Sequence, residues 1–234
     1  MTGDDDERLA LHVKWMDAQD DFKTFVTDEG LTWGLRRPMR PRNGSNQAVQ
    51  FVRPSGLTSV DVVRTYSKFV FTKKGEAIKQ ALRIVEPAVE DIAPVADDRR
   101  PYRDSPGGVV LKLRGIEGHV PIGSMGDGMW RMLGLALSIS NASGGVLLVD
   151  EIDTGLHYTV MEDMWRMVGE RAAALSVQVF ATTHSRDCYE SLGAAVESDV
   201  GDVTIQRIDR SRGKAVSFTN RAVVAAGERN VEVR

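Results

Sequence analysis

Gly144-Gly145-Val146-Leu147-Leu148-Val149-Asp150-Glu151 is the stretch on which the fold turns. Four consecutive apolar residues bounded by glycine are what a central parallel strand, buried on both faces, requires. The two carboxylates stand at its C-terminal end, where open α/β sheets place their ligands, and as neighbours their side chains project in different directions. That geometry suits a division of labour in phosphoryl transfer, with Asp150 holding Mg²⁺ through water and Glu151 orienting or deprotonating an attacking water. A strand ending in a solvated acidic turn is the plainer reading of the same residues, so the flanking sequence has to decide.

Downstream, helical spacing runs from about Tyr158 to Ala174, and Val177-Gln-Val-Phe-Ala-Thr-Thr-His-Ser reads as a second strand ending at His184. Strand, helix, strand over this length is a βαβ unit, whose strands are parallel and end at one crevice. His184 is thereby placed to hydrogen-bond a γ-phosphate or the attacking water; a lone histidine at a strand end is otherwise a cap. Upstream, Gly123-Ser-Met-Gly-Asp-Gly-Met-Trp-Arg-Met-Leu-Gly-Leu-Ala-Leu reads as a glycine-rich loop opening an apolar helix. Glycines allow close backbone approach to an anion, and a helix start supplies free N–H groups and a favourable dipole. Alone, such a turn is also an ordinary connector.

In this order the three segments resemble the ABC-class ATPase domains. The nearer likeness is to the soluble ATPases of the overcoming-lysogenization-defect (OLD) kind, often described as AAA-family ATPases, and more distantly to SMC proteins. The resemblance implies that Ser124, Gly126, Asp127 and Gly128 form a signature loop and that Gly145 to Glu151 is the Walker B strand. It makes Thr154-Gly155-Leu156-His157 a D-loop and His184 the switch histidine. The signature departs from the Leu-Ser-Gly-Gly-Gln of transporters, and His157 stands where they carry Asp; Gly-Leu-His is frequent in the OLD-like group. ATP and Mg²⁺ are the implied cofactors, with Asp150 as the metal residue, Glu151 and His184 as the catalytic ones, and Thr154 and Gly155 beside the nucleotide.

The 234 residues contain no Gly-x-x-x-x-Gly-Lys-[Ser/Thr], the loop whose N–H groups and lysine hold phosphates. Lys73-Lys74-Gly75 has the wrong order, and Gln47 and Gln50 lack recognisable Q-loop flanks. In the resembling family the P-loop precedes everything seen here, so the expected fold is α/β, a partial P-loop NTPase (ABC-type) core with parallel strands and an N-terminal helical lobe. Residues 1–108 are expected to be that lobe and a linker, with the first core strand following, and residues 109–234 the C-terminal ABC-type ATPase core. The expected function is ATP hydrolysis with a P-loop supplied by another chain or an upstream segment, in a homodimer or with a hetero-partner. The isolated chain would then bind ATP poorly. The alternative is a catalytically inactive, ATPase-like dimerisation module. A Mg²⁺-dependent hydrolase working without nucleotide is a third option, weakened because two adjacent carboxylates make a poor metal cage.

Composition agrees with these readings without choosing among them. Dividing 234 by about 150 residues per domain gives roughly 1.6 domains. Thirty basic against 33 acidic residues leaves a net charge of −3, which argues against a generic phosphate-tracking surface. Arg36, Arg37, Arg40 and Arg42 form a local basic cluster, so nucleic-acid contact stays open but unsupported. The acidic start, the lack of a long apolar run and the single cysteine, Cys188, point to a cytoplasmic protein with no membrane span. Elsewhere the spacing predicts helices over Glu7–Asp28, from Thr58 and over Glu76–Val85. It predicts strands at Val109–Leu113, Val203–Ile208 and Val216–Thr219, a short helix at Cys188–Leu192 and a final helix before Val231. Asp97–Gly108 reads as a boundary. With about fifty residues after Ser185, the nuclease domain of some OLD-like proteins is not expected.

Overall fold

The computed structural model describes residues 10–13, 22–27, 30–32, 48–95, 108–197, 200–209, 213–220 and 222–224. The chain divides into two compact units, residues 1–46 and 47–234. The first carries strands β1 (Ala10–Val13), β2 (Phe22–Thr27) and β3 (Gly30–Thr32), joined as one antiparallel sheet in sequence order. The helix expected over Glu7–Asp28 is therefore overturned. Phe22, Thr24, Phe25, Val26 and Thr27 are aromatic or β-branched, which suits a pleated strand, and Thr27 pairs with Gly30 across a two-residue connection. The Arg36–Arg42 cluster, most of the Asp97–Gly108 boundary, Gln47 and the Val231 region lie outside the described residues.

The second unit is built around a three-stranded parallel sheet. Its strands are β4 (Val49–Val52), β8 (Val146–Val149) and β9 (Gln178–Ala181), with β8 in the centre. Both pairings are parallel and in step, Val49 with Val146 with Gln178 through to Val52 with Val149 with Ala181. The expected βαβ unit is thus present. Its first neighbour, β4, comes from a stretch the sequence assigns to the lobe. Between β4 and β8 the chain forms α1 (Ser59–Ser67), α2 (Lys73–Val85), β5 (Val89–Pro94), β6 (Val109–Leu113), β7 (Val120–Pro121) and α3 (Asp127–Asn141). After β8 come α4 (Met161–Leu175), then β9, α5 (Arg186–Glu197), β10 (Thr204–Asp209) and β11 (Lys214–Thr219).

Local chemistry explains the boundaries that matter. Thr58 caps α1, its hydroxyl accepting the Asp61 N–H at 3.2 Å and donating to the Asp61 carboxylate at 2.7 Å. Thr72 caps α2, which begins at Lys73, three residues ahead of the expected start. Strand β6 buries Val109, Leu111 and Leu113 and pairs antiparallel with β5 and β7, so its alternation was a sound guide. Helix α3 is buried nearly all round, as a helix in the middle of a core must be. Met129, Met132, Leu133, Leu137 and Ile139 are at most 1% exposed, and burying each contributes about 1.5–3 kcal/mol. Strand β8 can begin only at a glycine, because a Cβ on Gly145 would sit 2.0 Å from the Ala48 carbonyl oxygen.

Burial of β8 on both faces is corrected. Leu147 and Val149 are buried, whereas Val146 and Leu148 are only half-buried. The three strands alternate together, so one face of the sheet enters the core with Val52, Leu147 and Val149, and the other does not. Among the described residues no helix is long and apolar enough to cross a membrane.

Candidate active site at the carboxyl ends of the parallel strands

The site is assembled where β8 and β9 end. Asp150 leaves the sheet still bonded to it, its N–H donating to the Val52 carbonyl at 2.9 Å. The next residue, Glu151, turns sharply with φ at +45°, a left-handed conformation that a non-glycine residue adopts at a cost of about 1–3 kcal/mol. Thr182, just past β9, holds both residues. Its hydroxyl donates to Asp150 Oδ1 at 2.6 Å and accepts the Glu151 N–H at 2.9 Å. Thr154 donates to Glu151 Oε2 at 3.3 Å, and Thr183 donates to Asp153 Oδ1 at 2.5 Å. The turn from 150 to 154 is thereby tied to the β9 strand end by two successive threonines.

Arg131 fastens the turn from beneath. It is 4% exposed and reaches out of α3 to the backbone of two strand ends. Nη1 donates to the Arg53 carbonyl at 2.7 Å, Nη2 to the Asp150 and Glu151 carbonyls at 2.8 and 2.6 Å, and Nε to the Ile152 carbonyl at 3.3 Å. Burial lowers its pKa, and the attraction of Asp153, Asp150 and Glu151 opposes that shift. A planar fork of donors is what meets several carbonyls at once; a lysine could not. Neither Arg131 nor Thr182 and Thr183 stand out as site residues by the motif reading. The available signal was an arginine as the single basic residue in the otherwise apolar stretch from Gly128 to Asn141.

The glycine-rich loop is brought to this turn from the other side. A short 3₁₀ turn, Ile122–Met125, leads to Gly126, which precedes α3 with φ at +84°. Ser124, Gly126 and Asp127 are exposed, and Gly128 is half-buried. Gly128 lies against Gly155, since a Cβ there would stand 3.0 Å from the Gly155 carbonyl oxygen. Gly155 in turn has φ at +78°, and a Cβ on it would stand 3.1 Å from the Asp127 Cβ. The loop before α3 and the Thr154–Gly155 turn therefore touch through two closely packed glycines, of which Gly155 also has a left-handed backbone. His157 accepts the Thr159 N–H and caps a short 3₁₀ turn.

His184 is exposed in the segment after β9, two residues beyond Thr182. Gln50 falls inside β4, opposite Leu147, rather than at a strand end. Cys188 is fully buried and burial pushes its thiol up to about 12, so it stays protonated and is no nucleophile. Among the described residues no group of three or more His, Cys, Asp or Glu residues gathers to hold a metal ion. The Thr182 hydroxyl is already engaged by Asp150 and the Glu151 N–H, so the donor set for a cation here is the single Asp150 carboxylate. It fits Mg²⁺, which keeps waters and takes phosphate oxygens rather than needing a protein cage.

Parallel strands with a helical crossover, an acidic pair at the central strand's carboxyl end and a glycine loop opening a buried helix define a P-loop-NTPase-like α/β fold. Residues 34–187, about two thirds of the chain, match the family described as "AAA domain, putative AbiEii toxin, Type IV TA system", and the chain belongs to that AAA domain family. No curated protein sequence matches it. Among solved structures it is similar to one described as "Structural biochemistry of ATP-driven dimerization and DNA stimulated activation of SMC ATPases", with 15% identity and a TM-score of 0.45, covering 75% of this chain and 99% of that one. It is similar also to the SMC head domain from Thermotoga maritima, with 12% identity and a TM-score of 0.42 over 72% of this chain and 52% of that one. The Smc head of Pyrococcus furiosus bound to the C-terminal domain of ScpA gives 15% and 0.40 over 68% and 38%.

Proposed function

We propose that the chain is the carboxyl-terminal part of an OLD-like, ABC-class ATPase core that hydrolyses ATP when a P-loop is supplied by another chain or an upstream segment. What supports this reading, within an AAA-family chain, is the Asp150-Glu151 pair held rigidly at the end of the central parallel strand by Thr182 and Arg131. Mg²⁺ would supply charge neutralisation on the phosphates, next to Asp150. Glu151 is the general base: its backbone is held in a strained turn, and Thr154 fixes its carboxylate from one side. His184, exposed beyond the strand end, is the γ-phosphate sensor. Ser124, Gly126, Asp127 and Gly128, with the N–H groups of the α3 start, face a nucleotide held by a second subunit, and Thr154 and Gly155 lie beside it.

The test is Mg²⁺-dependent ATP hydrolysis by the chain together with a P-loop-bearing polypeptide. Hydrolysis should appear on mixing and fall at least about 100-fold in Glu151→Gln while nucleotide binding is retained. Activity indifferent to Glu151→Gln would overturn the catalytic assignment. Nucleotide-independent dimers that bind no ATP under any mixing condition would favour the inactive dimerisation module instead.

A further inference from the structure

A cavity of about 310 Å³ lies between α1, the carboxyl-terminal half of α3 and the outer edge of β4. Asp61, Arg64, Thr65 and Lys68 line it from one face of α1, at the spacing of successive helical turns. Ser138 and Asn141 line it from α3, and Gln50 and Phe51 from β4. The volume is at the lower end of the ~300–1,000 Å³ of small-molecule sites, yet most of the lining is polar, so an occupant must be polar too.

The donors on this lining are unspent. Among the described residues the Arg64 and Lys68 side chains make no ion pair or hydrogen bond, the Thr65 and Ser138 hydroxyls have no partner, and neither has the Asn141 amide. Hydroxyls elsewhere on the same helices behave differently. Ser67 donates to the Val63 carbonyl at 2.7 Å and Ser140 to the Ala136 carbonyl at 2.7 Å. Ser138 is only 3% exposed, and a hydroxyl at that depth is normally bonded. Phe51 contributes another donor. Val146 and Asp150 bond the Ala48 and Val52 carbonyls, so the ladder to β8 runs through every second residue of β4 and the Phe51 N–H points to the free side.

The charges agree with the donors. Asp61 is the single carboxylate on the lining; it accepts the Thr58 hydroxyl at 2.7 Å and pairs with neither cation, so the lining keeps a surplus of positive charge. Lys74 donates to the Ser140 carbonyl at 2.9 Å, which offsets the negative end of the α3 dipole beside Asn141. Arg64 and Lys68 stand one turn apart, a planar fork beside a point charge. That pair matches the several oxygens and double charge of a phosphate better than the two oxygens of a carboxylate. A bare phosphate would leave Ser138 and Asn141 unmet, so the phosphate has to be esterified to a body that carries hydroxyls.

We propose that this cavity binds a small phosphate monoester of the sugar-phosphate class. Its phosphate lies on Arg64 and Lys68, and its hydroxyls meet Ser138, Asn141 and the Phe51 N–H. The proposal is independent of the ATPase reading above, because none of these residues belongs to the acidic turn or to the loop before α3.

The experiment titrates ribose 5-phosphate, ribose and inorganic phosphate into the full chain by calorimetry. Ribose 5-phosphate should bind at least about tenfold more tightly than either fragment, and Arg64→Gln and Lys68→Gln, both at exposed positions, should each raise its Kd at least about tenfold. Asn141→Leu should weaken ribose 5-phosphate at least about threefold and leave inorganic phosphate unchanged. Lys73→Gln, an exposed lysine off the lining, and Glu151→Gln should alter neither. No heat of binding with ribose 5-phosphate up to about 10 mM overturns the proposal. So does an equal loss in Lys73→Gln, which would mark unspecific charge attraction, or a Kd indifferent to Arg64→Gln. Inorganic phosphate binding as tightly as the ester overturns the assignment of a sugar-bearing ligand.

Discussion

The turn after β8 and the loop before α3 meet at the Gly128–Gly155 contact, yet they are built on opposite plans. In the first, a buried arginine bonds four carbonyls and two threonines bond two carboxylates, so the groups around Asp150 and Glu151 are held from within the chain. In the second, Ser124, Gly126 and Asp127 are exposed and the loop's shape comes from glycine backbone conformation. A preorganised acid pair is what catalysis in cis demands, because reorganisation during the reaction is costly. An exposed loop at a helix start is what recognition in trans demands. The contrast agrees with the proposal that the loop before α3 faces a nucleotide held by a second subunit.

Arg131→Ala is the hardest blow to the rigid side. It strands four carbonyls without their donor and should lower unfolding free energy by about 3 kcal/mol in urea denaturation, with Arg131→Lys recovering only part. A loss below about 1 kcal/mol would show that the turn holds itself. Gly155→Ala attacks the contact between the two regions, combining a left-handed backbone with a Cβ 3.1 Å from Asp127; a loss of about 1–2 kcal/mol is expected in the same assay. Glu151→Gly should move the other way. Releasing the strained φ should stabilise the chain by about 0.5–1 kcal/mol while removing the proposed base. No stabilisation would mean that the strain is not borne by this side chain. Smallest of all, Ser124→Ala at an exposed position should change stability by less than about 0.5 kcal/mol, and a larger change would break the comparison.

How much of this was legible follows from the range of each signal. The βαβ unit, the helix opened at Gly126 and the acidic pair at a strand end each rest on local periodicity and on glycine, so reading along the chain suffices. The N-terminal strands were missed because a handful of apolar residues among charges fits a helical stripe as readily as alternation. Pairing between β1, β2 and β3 settled the matter. The buried clamp was missed for a different reason. Arg131 lies about twenty residues ahead of Asp150 and nearly eighty after Arg53, and no spacing rule links an arginine to carbonyls that far away.

The sequence by itself determined that a parallel strand ends in two carboxylates, that a glycine loop opens a helix ahead of it, and that these 234 residues hold no phosphate-binding loop of the Walker A form. These are properties of short segments, where backbone conformation and side-chain period act over a few residues. Only the tertiary structure decided that β4 joins β8 in the sheet, that Thr182 and Arg131 hold the acidic turn, and that one face of the sheet carries exposed valine and phenylalanine. Each depends on which strands become neighbours, and strand neighbours are chosen by packing across the whole core rather than by any residue's own preference.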